Sequence, residues 1–160
     1  MSIPTIMKAV VTLGHGDYTQ LSYQEHPVPE IEPHEVLLKV LAAGVNNTEI
    51  NTRLGWYSAS ISKATAETGS QQSHLARQQQ DGGWDGATPF PLIQGTDCCG
   101  QVVAAGPTHK HLLGKRALVR ACMRTNGFDD LACSWMGSNT NGAFAEYVKV
   151  PATEVFPVEC

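Results

Sequence analysis

Short apolar segments, separated by polar turns rich in glycine and proline, run along most of this chain and predict β-strands. The strongest is Glu35–Val45, which is apolar on both faces except at Lys39 and is therefore expected at the centre of a sheet. Leu21–Glu30 is expected at an edge, because Pro27 and Pro29 cannot donate hydrogen bonds to a neighbouring strand. Strands are also predicted at Met7–Leu13, Cys98–Ala105, Gly114–Ala121 and Gly142–Val150, with an extended segment at Thr153–Val158.

The β pattern is broken after Val45, where a short helix is predicted to run to about Leu54. Asn47 or Thr48 can cap its start. Gly55 is expected to end it, because glycine readily adopts the left-handed conformation of a helix C-terminus.

Residues 58–88 have a different character, rich in alanine, glutamine, serine and glycine and without a sustained apolar period. This composition predicts an insertion or mobile loop, whose length is unusual for a compact domain. The rest of the chain consists of short strands joined by irregular loops. It therefore predicts one mainly β domain over residues 1–160, with short helices and the form of a small antiparallel barrel.

Composition excludes several classes of protein. The chain has 15 acidic and 11 basic residues, so it lacks the basic stripe typical of nucleic-acid binding. Its apolar runs are far too short to span a membrane, and the N-terminus lacks the basic region of a signal peptide, so we expect a cytoplasmic protein. The 5 cysteines, an odd number without a secretory context, are expected to be free thiols.

Four segments in order carry a family resemblance. They are Met7-Lys8-Ala9-Val10-Val11, Gly44-Val45-Asn46-Asn47-Thr48-Glu49, Pro91-Leu92-Ile93-Gln94-Gly95-Thr96-Asp97-Cys98-Cys99-Gly100, and Gly114-Lys115-Arg116 followed by Gly142-Ala143-Phe144-Ala145-Glu146-Tyr147-Val148. Each segment alone is weak evidence, but together they cover most of the chain outside the insertion. The chain resembles the amino-terminal half of the medium-chain dehydrogenase/reductase superfamily.

The resemblance implies a GroES-like, partly open β-barrel that supplies the substrate side of an active site. In that superfamily NAD(P)H is bound mostly by a following Rossmann domain, whose mark is a glycine-rich turn between a strand and a helix. The near match here, Gly14-His15-Gly16, lacks a third glycine and leads into an extended segment. The cofactor-binding domain is therefore expected to be missing from this chain, and the isolated chain is expected to be inactive and to bind NADPH weakly or not at all.

The resemblance also implies that zinc is absent. Zinc alcohol dehydrogenases of the superfamily have a cysteine ligand where this chain has Asn46, and a histidine followed by glutamate where it has Thr96 and Asp97. Asparagine and threonine are poor zinc ligands. The four-cysteine structural zinc site is represented only by Cys122 and Cys133. In this respect the chain resembles the zinc-independent quinone and enone reductases.

Candidate site residues follow from these motifs. Asn46 has an amide that could support a substrate carbonyl oxygen, and Thr48 matches a proton-relay hydroxyl of the zinc relatives, although both could simply cap the helix. Trp56 and Tyr57 could stack on a flat substrate or anchor the loop. Thr96, at the lost histidine position, is expected to line the substrate site with Asn46.

Other polar residues of these motifs are given structural roles. Glu49 and Arg53 are four residues apart on the predicted helix and are expected to form a salt link. Asp97 is expected to be a satisfied turn carboxylate. Cys98 and Cys99 have no basic sequence neighbour that would lower a thiol pKa, so we expect them to be inert.

Three functions remain open. The leading one is the substrate-side domain of a zinc-independent reductase of quinones or α,β-unsaturated carbonyls, with NADPH favoured over NADH by the resemblance only. The second is a truncated, non-catalytic binding module, and the third is an alcohol dehydrogenase whose zinc has atypical ligands. Open barrel edges also predict a homodimer at sizing concentrations, which a clean monomer would contradict.

Overall fold

The computed structural model describes residues 2–58, 82–83, 86–124, 129 and 132–159. Most of the insertion predicted at residues 58–88 lies outside the described residues. Within the described part, β-strands dominate and the chain contains one α-helix, α1. The strands are β1 Ile6–Thr12, β2 Leu21–Pro27, β3 Glu35–Ala42, β4 Leu92–Ile93, β5 Cys99–Ala105, β6 Arg116–Val119, β7 Cys122–Met123, β8 Ser134–Trp135, β9 Tyr147–Pro151 and β10 Val155–Pro157, and α1 is Asn47–Leu54.

The strands form three antiparallel sheets. One has the order β2-β1-β4, the second has the order β10-β6-β5-β3-β9, and the third is the β7-β8 ribbon. The edge position predicted for β2 and the central position predicted for β3 are both confirmed. The sheets do not close on themselves, as expected for a partly open barrel.

A short irregular segment before β9 joins the first two sheets. The Glu146 N–H donates to the Lys8 carbonyl of β1 at 3.0 Å, and the Glu146 carbonyl accepts from the Val40 N–H of β3 at 2.9 Å. Glu146 therefore satisfies backbone groups on both sheets at once. This is why β9 begins at Tyr147, and the strand predicted over Gly142–Val150 was too long at its start.

The alternation of apolar residues along the strands builds two clusters of buried side chains. The larger one lies on one face of the five-stranded sheet and includes Val36, Leu38, Val102 and Val150, which are all at most 1% exposed. The smaller one includes Met7, Ala9, Val11 and Ile93. Burial of this apolar area is the main favourable term in folding.

One further sequence expectation was wrong in detail. The segment Thr153–Val158 is not extended throughout, because Ala152–Glu154 forms a 3-10 turn before β10. Between the predicted strands, a 3-10 helix, Pro107–Leu112, follows Gly106, and the β7-β8 ribbon lies before Asn141.

Gly106 ends β5 at a point where two backbone segments nearly touch. Its N–H donates to the Glu35 carbonyl at 3.0 Å. A Cβ atom built on Gly106 would lie 1.8 Å from the Pro33 carbonyl oxygen, a contact with backbone that no side-chain rotation relieves. Only glycine allows the turn before β3 to pack against the end of β5.

Gly106→Ala is therefore expected to lower the free energy of unfolding by at least about 3 kcal/mol, the upper part of the range for overpacking. Gly114→Ala is the matched control, because Gly114 has a φ of 76° but no atom within 4 Å of a built Cβ. It should cost only the left-handed strain of about 1–2 kcal/mol. Urea unfolding of the two variants checks the difference, and equal destabilisation would contradict the packing argument.

Candidate functional site

Helix α1 begins directly after the chain leaves β3. Asn46 occupies the N-cap position in an extended conformation, with φ −111° and ψ 165°, and Gly55 ends the helix in the left-handed conformation with φ 70°. The end at Gly55 was predicted. Of the three residues considered as the cap, Asn46, Asn47 and Thr48, Asn46 occupies the position, because the extended backbone continues to that residue.

The carboxylate of Glu49 links the start of α1 to the segment after β4. One oxygen accepts from the Asn46 N–H at 2.7 Å. The other accepts from both the Thr96 N–H at 2.9 Å and the Thr96 hydroxyl at 2.8 Å. Glu49 is only 5% exposed, so these three donors replace water around a buried charge.

The salt link predicted between Glu49 and Arg53 was wrong. The Arg53 guanidinium instead donates to the Gly16 carbonyl and lies 4.8 Å from the ring centroid of Tyr18. The Gly16 N–H donates back to the Arg53 carbonyl at 2.9 Å. Arg53 therefore fastens the end of α1 to the turn after β1, while Glu49 is held from the other side by Thr96.

Gln94 is a structural residue that sequence reasoning missed. Its side-chain N–H donates to the Glu49 carbonyl at 3.0 Å, and its side-chain oxygen accepts from the Thr12 hydroxyl at 2.9 Å. Both side chains are buried, at 3% exposure for Gln94 and 1% for Thr12. The available signal was an amide directly after the apolar run Pro91–Ile93, a position where a buried polar group needs partners.

The Asn46 side chain lies over this buried link. Its amide N–H groups face the Thr96 hydroxyl at 3.3 Å and the Asp97 carboxylate at 3.1 Å. Asp97 in turn packs against Gly44, where a Cβ atom would come within 2.6 Å of its carboxylate oxygen. The amide expected to meet a substrate oxygen is thus already held by two neighbours, which fix its position.

A pair of hydroxyl groups lies beside this cluster. The Tyr57 hydroxyl donates to the Thr48 hydroxyl oxygen at 3.1 Å. The left-handed turn at Gly55 reverses the chain after α1, so that Tyr57 returns to the first turn of the helix. Phenol and alcohol groups within hydrogen-bonding distance can pass a proton between them.

Of the predicted site residues, the structure brings together Asn46 with Thr96 and Thr48 with Tyr57. Trp56 is half-buried and its backbone N–H donates to the Asn51 carbonyl at 2.8 Å. Its ring makes no hydrogen bond or ring contact with the residues that the structure describes. The position of Trp56 at the site therefore stays a prediction.

The residues at the position of the catalytic metal in zinc relatives do not fit a zinc ion. Asn46 and Thr96 are neutral and hydrogen-bond to each other. Both oxygens of Glu49 are occupied by internal donors. Among residues 2–58, 82–83, 86–124, 129 and 132–159, no three His, Cys, Asp or Glu side chains are grouped so that they could hold a metal.

Cys98 and Cys99 directly follow Asp97 and differ in how deeply they are buried. Cys98 is 4% exposed, and burial, with the nearby Cys99 thiol, raises its pKa to about 12. It therefore stays protonated at neutral pH and is a weak nucleophile, as expected for an inert thiol. Cys99 follows it at the start of β5 and is half-buried.

A separate cleft of about 270 Å³ opens between the two larger sheets, lined in part by His26, His34, Glu35, Met123 and Lys149. None of the predicted site residues lines it. In the part of the chain that the structure describes, no helix is long and apolar enough to cross a bilayer.

Sequence comparison identifies relatives of the chain. The profile of the alcohol dehydrogenase GroES-like domain matches residues 32–159. A scyllo-inosose 3-dehydrogenase of Thermotoga maritima is 29% identical over 156 residues, which cover 84% of this chain and 33% of that protein. An L-threonine 3-dehydrogenase of Streptomyces avermitilis is 29% identical over 144 residues, covering 81% and 34%. The chain spans about a third of the length of these curated relatives.

Solved structures agree in fold. A structure from Sinorhizobium meliloti 1021, assigned to the alcohol dehydrogenases, is 33% identical and superposes with a TM-score of 0.78, covering 99% of this chain and 41% of that one. A thermostable alcohol dehydrogenase from Pyrobaculum aerophilum with bound cobalt and zinc is 24% identical, with a TM-score of 0.69 over 97% of this chain and 42% of that one. The second likeness concerns the fold alone.

Glu49→Gln tests the buried link most simply, because it keeps the shape and replaces one acceptor oxygen by an N–H group. That group must face the N–H of either Asn46 or Thr96, so we expect the free energy of unfolding to fall by about 2–3 kcal/mol. Glu25→Gln is the control, since Glu25 is 69% exposed and pairs only with Lys8. The control should change stability by less than about 0.5 kcal/mol. If Glu49→Gln is equally mild in urea unfolding, the carboxylate does not hold the site together.

Proposed function

Because the chain belongs to the alcohol dehydrogenase GroES-like domain family, we propose that it forms the substrate side of the active site of a zinc-independent, NAD(P)H-dependent oxidoreductase. We further propose that the substrates are quinones or α,β-unsaturated carbonyl compounds. The observation that carries this proposal is the contact of Asn46 with Thr96 and Asp97. At the positions where zinc relatives have metal ligands, these side chains bind one another.

The described residues offer no cradle for the phosphates of a dinucleotide. Gly14-His15-Gly16 is followed by a 3-10 turn and the edge strand β2 rather than by a helix, so it lacks the helix N-terminus that such a cradle needs. A bound NADPH or NADH would supply the hydride. Its site is proposed to belong to a further domain, and no step is assigned to the cofactor on this chain.

The chemistry proposed for this chain is the placement of the substrate and the delivery of a proton. Reduction of a quinone or an enone adds a hydride and a proton, and negative charge develops on the carbonyl oxygen. The Tyr57 and Thr48 hydroxyl groups, in contact at 3.1 Å, are proposed to donate a hydrogen bond to that oxygen and then the proton. Without a Lewis acid, such hydroxyl groups have to stabilise the developing charge.

Asn46 is proposed to position rather than to react. Its amide is held by Thr96 and Asp97 and covers the buried Glu49 carboxylate on the substrate side. The exposed Asp97 carboxylate lies 3.1 Å from this neutral amide. The proposed environment therefore favours a neutral substrate over an anionic one.

A non-catalytic binding module is the second candidate, favoured by the lack of a phosphate cradle in the described residues. The reading frame that contains this chain, with the sequence that follows Cys160, separates the two. A reductase frame continues into a strand, a Gly-x-Gly-x-x-Gly turn and a helix. A stop codon directly after Cys160 would leave no cofactor site and would remove the enzyme proposal.

The catalytic proposal is tested with the product of that complete frame, assayed for NADPH oxidation with a benzoquinone and with a simple enone. Tyr57→Phe should lower kcat roughly 100-fold with little change in KM, because it removes the proton donor but keeps the ring. Tyr23→Phe is the matched control, since Tyr23 is 72% exposed on β2, and it should leave kcat unchanged.

An unchanged kcat in Tyr57→Phe would remove the hydroxyl pair from the mechanism while leaving the reductase assignment intact. Loss of all activity on dialysis against a chelator, with recovery on adding zinc, would instead support the alcohol dehydrogenase with atypical zinc ligands.

A further inference from the structure

Cys122, the first residue of β7, and Cys133, the residue directly before β8, lie at the β7-β8 ribbon, away from the candidate site. In the register of this ribbon, Cys122 lies opposite Trp135 and Met123 lies opposite Ser134. Cys133 precedes Trp135 by two residues, so its side chain emerges on the same face of the ribbon as those of Trp135 and Cys122. The two cysteines are therefore diagonal neighbours, and the strong twist of a two-stranded ribbon draws such pairs together.

The environment of the Cys122 thiol agrees with this placement. Burial raises the pKa of the Cys122 thiol, and a hydrogen bond with the Cys133 thiol raises it further, while the nearby Arg124 guanidinium acts in the opposite direction. Both residues are half-buried, and both are free thiols in this structure. Cys98 is also a free thiol, but it is only 4% exposed, and its neighbour in sequence, Cys99, points to the opposite side of the chain.

We propose that Cys122 and Cys133 are a disulfide-forming pair that exchanges with a small-molecule disulfide such as glutathione disulfide. The thiolate of one cysteine attacks a sulfur of glutathione disulfide, forms a mixed disulfide and releases one glutathione thiolate. The second cysteine then attacks the protein sulfur of the mixed disulfide and releases the second glutathione. Two protein thiols lose two electrons and two protons, and one glutathione disulfide becomes two glutathione molecules.

The bond would lie next to the segment after β8, which contacts the backbone near the candidate site. The segment after β8 returns to the barrel, where the Gly142 N–H donates to the Ile93 carbonyl at 2.7 Å and the Ala143 N–H donates to the Gly95 carbonyl at 2.9 Å. The Asn141 side chain also accepts from the Ile93 N–H at 3.0 Å. A cross-link between Cys122 and Cys133 would hold the two strands of the ribbon together and so steady the segment that leads from β8 back to Gly95 and Thr96.

The positions of the tryptic sites make the test direct. Cleavage after Arg120, Arg124 and Lys149 places Cys122 in peptide 121–124 and Cys133 in peptide 125–149. Cys98 and Cys99 fall together in another peptide, and Cys160 falls in the last one. The purified chain is equilibrated with mixtures of reduced and oxidised glutathione, alkylated, digested and analysed by mass spectrometry. The expected product is peptide 121–124 linked to peptide 125–149.

Cys133→Ser should abolish the linked pair and leave glutathione on Cys122, whereas in the unchanged protein fewer than roughly one chain in ten should retain glutathione there, because Cys133 displaces it. Cys99→Ser is the matched control and should form the linked pair as before. The oxidised protein should also melt at a higher temperature than its reduced form, and Cys133→Ser should lose this difference. The proposal is overturned if both cysteines carry glutathione separately, or if both are alkylated under mixtures that oxidise Cys99 or Cys160.

Discussion

The buried carboxylate of Glu49 is the interaction on which the candidate site depends. A charge that is 5% exposed must find donors inside the protein, and Glu49 finds three of them on two segments of the chain. Satisfying this charge therefore fixes the start of α1 against the segment after β4. Asn46 and Thr96 are placed by the same contacts, and Asp97 follows through the Asn46 amide.

The same network determines what the site can do chemically. In zinc relatives a metal ion polarises the substrate, and ligand side chains surround that ion. Here the corresponding positions are filled by an amide, a hydroxyl and a carboxylate that satisfy one another. The hydroxyl groups of Thr48 and Tyr57 lie beside this network, 3.1 Å apart, and are the proton donors that we propose for the reaction.

Local patterns predicted most of the framework. The apolar runs of β1 and β3, the prolines of β2 and the Gly55 helix end each act through near neighbours in sequence, and each predicted its element correctly. The start of β9 was not, because Glu146 gives its backbone hydrogen bonds to two different sheets. The pattern within the nine residues Gly142–Val150 could not predict this, because the two partners, Lys8 and Val40, lie far away in the sequence.

The sequence named candidate site residues, which remain predictions, but it did not predict the hydrogen bonds between them. Motif resemblance identified Asn46, Thr48, Tyr57 and Thr96, and the structure joins them in two pairs. Sequence spacing suggested Arg53 as the partner of Glu49. The observed partner, Thr96, is 47 residues away. Because the Glu49 carboxylate is buried, it bonds to Thr96, which offers two donors inside the fold.

The zinc content of the purified protein after dialysis tests the central claim, namely that a hydrogen-bonded network replaces the metal. Asn46→Cys/Thr96→His is the positive comparison, because with Asp97 it restores a thiolate, an imidazole and a carboxylate. The account predicts less than about 0.1 zinc per unchanged chain and close to about 1 per chain in the double variant. About one zinc per unchanged chain, lost in Asp97→Asn, would contradict it.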